Sequence, residues 1–136
     1  MTAKQYLKRA WNADRRIDRL IEERDRLQSA LTRGVGQLTG MPKGGGQDWT
    51  NAALKVVELS GEINREIEDL CRAKREVSEA IAQVEDARAR RVLELRYRSY
   101  MSWAEIAQEL HYSDRWVFLM HGIGLKRVKE FIEFQY

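Results

Sequence analysis

The stretch from Trp103 to Met120, WAEIAQELHYSDRWVFLM, constrains the fold more than any other part of the chain. Small or apolar residues fall where two crossing helices need inward side chains, at Ile106, Ala107, Leu110, Val117 and Met120. Ser113 is a suitable cap for the second helix, because its hydroxyl can accept a hydrogen bond from an unpaired backbone N–H. His111 departs from the pattern, since Gly is common at this turn position. The spacing predicts a helix-turn-helix whose helices cross most closely at Ala107.

Two heptad stripes precede this motif. Apolar residues recur at alternating spacings of three and four from Ala3 to Arg33, and again from Asn51 to Val84. The segment between them, Gly34–Thr50, holds six of the nine glycines and the only proline. This pattern predicts two long helices joined by a glycine-rich loop at 34–50. The stripe residues are Tyr6, Ala10, Ala13, Ile17, Leu20, Leu27 and Leu31, then Val56, Leu59, Ile63, Leu70, Ala73, Val77, Ala80 and Val84.

Charge supports the pairing of these two helices. Residues 1–33 carry nine Lys/Arg and five Asp/Glu, whereas residues 51–85 carry five Lys/Arg and eight Asp/Glu. The two segments are therefore electrostatically complementary. The sequence predicts an all-α fold: a long, coiled-coil-like antiparallel helical hairpin over 1–85, followed by a three-helix helix-turn-helix domain over 86–136.

Composition excludes several classes of protein. The net charge of +3 permits nucleic-acid binding without requiring it, and the single cysteine, Cys71, rules out an intramolecular disulfide. With no signal-like or membrane-spanning apolar run, we expect a cytoplasmic protein that does not enter membranes. The glycines near Lys43 lack the order of a phosphate-binding P-loop, and the two histidines have no ligand spacing. We expect no catalytic residue, no cofactor and no metal, and hence a protein that is not an enzyme.

The second helix of the motif presents the candidate DNA-reading side chains. Arg115 suits a guanine, and Phe118 or Leu119 can contact a thymine methyl group. The same apolar face would also suit a protein partner, and Asp114 would repel phosphate. The predicted recognition residues are Ser113, Asp114, Arg115, Trp116, Phe118 and Leu119. The predicted phosphate contacts are Arg96, Arg98, Ser102, Lys126 and Arg127.

The run RRVLELRYRSYMSWAEIAQEL resembles region 4 of sigma-70-type sigma factors, the C-terminal DNA-binding part of those proteins. There a helix of the form R-x-V-L-x-L-R-Y precedes a helix of the form [ST]-[WY]-x-E-I-A-x-x-L. The matching residues are Arg91, Val92, Leu93, Leu95, Arg96, Tyr97, Ser102, Trp103, Glu105, Ile106, Ala107, Leu110 and Ser113.

Nearly the full length is similar to a family of small phage and prophage proteins. These have a leading helix, a loop of the form L-[ST]-G-M-P-x-G-G-G and a sigma-region-4-like end; Leu38–Gly46 carries that loop here. The resemblance implies a transcription regulator that binds double-stranded DNA at promoters with RNA polymerase. We further expect a homodimer, formed through the hairpin or the C-terminal tail. Two alternatives stay open: an adaptor that binds polymerase or a sigma factor without reading DNA, and a DNA-packaging component like a small terminase subunit.

Overall fold

The computed structural model describes the backbone of residues 1–36 and 45–135 and the side chains of 1–33 and 48–135. The described residues form helices and no strand, which confirms the all-α prediction. The helices are α1 (Ala3–Leu7), α2 (Arg9–Gly36), α3 (Gly45–Ala82), α4 (Ala87–Tyr97), α5 (Trp103–Leu110) and α6 (Asp114–Gln135).

The first predicted helix is interrupted once, at Lys8. A capping box starts α1: the Thr2 hydroxyl accepts a hydrogen bond from the Gln5 N–H, and the Gln5 side chain accepts one from the Thr2 N–H. Lys8 closes this short helix, and α2 begins at Arg9. The heptad stripe continues across the break, because Tyr6 and Ala10 are both buried.

The predicted loop at 34–50 was too long at both ends. Helix α2 continues to Gly36, and α3 already begins at Gly45, so Gly45–Thr50 is helical. Asp48 lies in the first turn of α3, where a carboxylate interacts favourably with the helix dipole and offsets the low helix propensity of glycine. The rest of the predicted loop, 37–44, lies outside the described residues.

Packing divides the chain into two compact units, of which the first to be described is Ala13–Asp69. Its α2 and α3 segments run antiparallel. The buried residues Ala13 and Ile17 lie in the first part of the α2 segment, and the buried residues Leu59 and Ile63 lie in the later part of the α3 segment. The Arg16 guanidinium lies 3.1 Å from a Glu66 carboxylate oxygen, so the basic helix is paired with the acidic one. The predicted helical hairpin and its stripe are present.

The other unit contains Met1–Asn12 and Leu70–Tyr136. This division differs from the boundary predicted at residue 85. The start of the first hairpin helix and the end of the second belong to this unit, because Leu7, Val77 and Ile81 are buried in one core with the C-terminal helices. That core also buries residues of α4, α5 and α6: Ala89, Val92, Leu93, Leu95, Tyr97, Ile106, Ala107, Val117, Met120 and Val128.

Asp86 caps the N-terminus of α4, because its carboxylate accepts hydrogen bonds from the Arg88 and Ala89 N–H groups. These bonds lower the pKa of Asp86, because they favour the ionised form. Helix α4 ends at Tyr97, and Tyr100 beyond it has a left-handed backbone with φ of 58°.

Helix α6 runs without a break through Gly122 and Gly124, and the two glycines have different surroundings. A Cβ atom added at Gly124 would lie 2.7 Å from Cδ1 and 2.9 Å from Cγ of Leu93, whereas one added at Gly122 would meet no atom within 4 Å. Gly124 therefore permits the close approach of α4 to α6. Leu93 is fully buried in a close-packed core, so its side chain would have to shift against its neighbours.

We predict opposite effects of alanine at the two glycines. Gly124→Ala should lower the free energy of unfolding by about 1 to 3 kcal/mol, because it overpacks the Leu93 contact. The matched control, Gly122→Ala, should raise it by up to about 1 kcal/mol through helix propensity alone. Urea denaturation followed by circular dichroism measures both. Equal effects of the two substitutions would contradict the close approach at Gly124.

Candidate nucleic-acid interface

The N-terminus of α5 is fixed by a capping box. The Ser102 hydroxyl accepts a hydrogen bond from the Glu105 N–H at 3.2 Å, and the Glu105 carboxylate accepts one from the Ser102 N–H at 3.3 Å. Ser102 is exposed at the start of the helix, so its hydroxyl group is accessible to solvent. This placement suits the phosphate-contacting role predicted for Ser102.

His111 sets the turn between α5 and α6. Its backbone is left-handed, with φ of 57° and ψ of 39°, and the Tyr112 N–H donates to the Ala107 carbonyl at 3.0 Å. Gly is favoured at such a helix C-terminus because it has no Cβ, but His is among the side chains that adopt this region more readily. The turn predicted by the motif thus forms without glycine.

The inward positions of the motif are confirmed. Ile106, Ala107, Val117 and Met120 are buried, and Leu110 is half-buried against the same core. The predicted cap of α6 is also present, because the Ser113 hydroxyl accepts a hydrogen bond from the Trp116 N–H at 3.2 Å. The scaffold that presents the first turns of α6 is therefore fixed by burial and by capping at both helix starts.

The outward face of α6 is accessible along its first two turns. Ser113, Asp114 and Arg115 are exposed, and the side chains of Phe118 and Leu119 retain 52% and 51% of their accessible surface. Ile123 continues the exposed apolar surface one turn later. Hydrogen-bonding groups are thus confined to the start of this face, and apolar groups form its middle.

Trp116, also predicted as a recognition residue, packs sideways. Its ring is half-buried, perpendicular to the Tyr112 ring at a centroid distance of 6.3 Å. The Arg88 guanidinium lies over Trp116, 5.5 Å from the ring centroid. This cation–π contact holds a positive charge beside the N-terminus of α6, at a place that the sequence motif alone did not indicate.

Arg96, a predicted phosphate contact, makes several contacts within the protein. Its guanidinium carbon lies 4.4 Å from the Trp103 ring centroid and 4.9 Å from that of Trp11, and Nη1 donates to the Met101 carbonyl at 2.9 Å. Arg96 thus connects α2, α4 and α5. These contacts use Nη1 and the charge of Arg96, and its role as a phosphate contact stays a prediction.

The remaining predicted phosphate contacts differ in their availability. Lys126 is exposed on α6, while Arg127 is half-buried and lies 3.3 Å from a Glu85 carboxylate oxygen. Arg98 is exposed and lines a cleft of about 410 Å³ together with Lys74 and Arg91. Of the predicted set, Ser102 is exposed at the start of α5 and Lys126 is exposed further along α6.

A buried His–Tyr pair lies directly behind the outward face. The Tyr97 hydroxyl is 2.7 Å from Nε2 of His121, a distance that fits a phenol donating to an unprotonated ring nitrogen. Burial lowers the pKa of His121 from 6.5 to about 4, and the positive charges of Lys4 and Arg96 act in the same direction. Burial also raises the pKa of Tyr97 to about 12. The fold therefore requires a neutral pair here.

Searches of the described residues found no group of three or more potential metal ligands. No helix within those same ranges is long and apolar enough to cross a membrane.

A family model described as "Protein of unknown function (DUF1492)" matches residues 36–128. The chain belongs to this family. The DUF1492 match contains α3, α4, α5 and α6 as far as Val128, so it includes the whole helix-turn-helix and its outward face. No curated protein and no solved structure matches the chain.

Within this DUF1492 member, the sequence pattern did not indicate the aromatic residues that pack against the outward face of α6. Trp103 contacts Phe118 at a centroid distance of 5.1 Å and His121 at 4.6 Å, in addition to Arg96. Trp11 lies outside the family match and 92 residues before Trp103 in the chain. Local spacing therefore could not indicate that both indoles contact the guanidinium of Arg96. The position of Trp103 at the start of the motif was the only available hint.

The buried His121 predicts a specific loss of stability in acid. The pKa of His121 in the folded protein lies below its ordinary value of 6.5. The stability that depends on a neutral His121 ring is therefore fully present above pH 6.5 and is lost as the pH falls towards 4. This shift corresponds to about 3 kcal/mol. We expect the free energy of unfolding of the wild-type chain, relative to that of His121→Gln, to fall over this interval in urea titrations at stepped pH. A constant difference from pH 7 to pH 4 would contradict the assignment.

Proposed function

We propose that this chain is a transcription regulator that binds double-stranded DNA through the outward face of α6. The supporting observation is the geometry of α5, the left-handed turn at His111 and α6, in which the inward residues are buried and the face from Ser113 to Leu119 is accessible. In helix-turn-helix proteins the second helix lies in the major groove with its N-terminal residues at the base edges. The first turns of α6 are in the corresponding position.

The charges around this face support the same proposal. Arg115 lies on the outward face, Lys126 lies further along α6, and Arg88 lies beside Trp116. In the proposed complex Arg115 reads a base edge, while Lys126 and Ser102 contact phosphate oxygens. Asp114 opposes phosphate and would have to face a base instead, where a carboxylate can accept a hydrogen bond from cytosine N4.

Action at promoters with RNA polymerase rests on the resemblance of Arg91–Leu110 to sigma region 4. The phage association rests on the resemblance of the glycine-rich sequence Leu38–Gly46 to a motif of small phage and prophage proteins. We propose that the chain acts as a phage-associated regulator that binds promoter DNA and contacts the polymerase.

A second function is favoured by one observation, the exposed apolar group of Phe118, Leu119 and Ile123 on α6. Contiguous apolar surface commonly contacts another protein. In this alternative the chain is an adaptor, and the face binds RNA polymerase or a sigma factor in place of DNA.

A dimer would present two recognition helices to paired half-sites. The exposed Leu54, Val57 and Ile67 on α3, and Phe134 near the end of α6, are apolar surface that a second copy would cover. Light scattering distinguishes this proposal, a mass of twice 16.0 kDa, from the closed ring expected of a small-terminase-like packaging component.

DNA binding by the outward face predicts distinct effects for two cations. Arg115→Ala should weaken binding to phage promoter fragments about tenfold or more, because it removes a base contact. Lys126→Ala should weaken binding more uniformly and lower the slope of log affinity against log salt by about one, because one phosphate contact is lost. Fluorescence anisotropy at stepped salt concentrations measures both effects.

The matched control is Arg26→Ala, which removes an exposed arginine of α2 remote in sequence from the motif and should leave affinity unchanged. Binding that is absent or insensitive to salt, together with retention of purified RNA polymerase on the immobilised wild-type chain, would reject the DNA-binding proposal in favour of the adaptor.

A further inference from the structure

The middle of the outward face is apolar and is held in a fixed arrangement. Phe118 is half exposed, yet its ring lies 5.1 Å from that of Trp103 at an angle of 49°. The Trp103 ring in turn contacts the His121 ring and the Arg96 guanidinium. Phe118 is therefore in contact with Trp103, which the Arg96 guanidinium links to Trp11. The Trp103 ring restricts the rotamers of Phe118, so less side-chain entropy is lost on binding.

The chemistry of the major groove offers one apolar counterpart to such a surface. Each base pair presents hydrogen-bond donors and acceptors there, but only thymine presents a methyl group. Phe118 and Leu119 carry no donor or acceptor in their side chains, so they cannot recognise the polar edges of the other bases. Arg115 lies one turn earlier, about 4.5 to 6 Å along the helix axis, which corresponds to one or two base-pair steps.

The charges on either side of Phe118 and Leu119 are complementary to a nucleic acid. Arg115 precedes them on α6, Lys126 follows them, and Arg88 lies beside Trp116. An apolar centre between exposed cations suits a polyanion that displays methyl groups between two phosphate backbones.

We propose, on the basis of the proposed DNA-binding function, that Phe118 and Leu119 select target duplexes by contact with thymine 5-methyl groups. The recognised element is a pair of neighbouring thymines next to a G·C pair that Arg115 reads. Phe118 and Leu119 are specificity-determining residues in this arrangement, and Trp103 is a positioning residue for the Phe118 ring.

Replacement of thymine by deoxyuridine tests this directly, because it removes the methyl group and leaves every base-pairing and groove hydrogen bond in place. A duplex would first be selected from a random-sequence library with the wild-type chain. It would then be resynthesised with deoxyuridine at each thymine in turn. We expect affinity to fall about fourfold for each methyl group in contact, and to be unchanged at thymines outside the bound region.

Variants assign the effect to residues. The double variant Phe118→Ala, Leu119→Ala should bind the thymine duplex more weakly and lose its sensitivity to deoxyuridine, whereas Arg115→Ala should bind weakly but keep that sensitivity. Trp103→Leu should reduce the sensitivity at the thymine read by Phe118 alone. Circular dichroism checks that each variant is folded, and the wild-type measurement needs no variant.

Two results separate this inference from the function on which it rests. Selective, salt-dependent binding that is equal for thymine and deoxyuridine duplexes would overturn the methyl-group inference and leave the DNA-binding function standing. Failure of the wild-type chain to enrich any duplex would overturn both.

Discussion

The Arg96 guanidinium contacts the indoles of both Trp11 and Trp103, and this shared cation links the helices around the outward face of α6. Arg96 belongs to α4, Trp11 to α2 and Trp103 to α5, so one side chain joins three helices. Its hydrogen bond to the Met101 carbonyl also holds the segment that leads into α5. Because Trp103 also contacts Phe118 and His121, the outward face is linked through Trp103 to the Arg96 contact.

The repeating features of the fold could be predicted from the sequence, because they follow from helix geometry. The heptad stripes, the inward residues of the helix-turn-helix and the Ser113 cap obey fixed spacings, and the described residues place them as expected. The extent of the glycine-rich segment could not be predicted in the same way. Gly45 and Gly46 lie at the start of α3 although glycine has a low helix propensity, and Asp48 in the first turn interacts favourably with the helix dipole.

Contacts between residues that are distant in the chain also could not be predicted from local spacing. Arg96 was predicted to contact phosphate because an arginine can donate to phosphate oxygens. Whether an arginine meets solvent or aromatic rings depends on residues that are distant in the chain, which here are Trp11 and Trp103. The same holds for His121, which shows no ligand spacing and is instead a neutral partner of Tyr97. In both cases the fold, through residues distant in the chain, decides which partners the side chain meets.

We propose that the outward face of α6, supported by Trp103, is the surface that contacts DNA. Amide NMR spectra of the full chain, recorded while a selected duplex is titrated in, test this most directly. The account predicts shifts concentrated at Ser102 and from Ser113 to Ile123, with Lys126 and Arg88 also affected, and with residues 14–33 of α2 unchanged. Shifts confined to the hairpin helices, with the resonances of Arg115 and Phe118 unmoved at saturation, would contradict it.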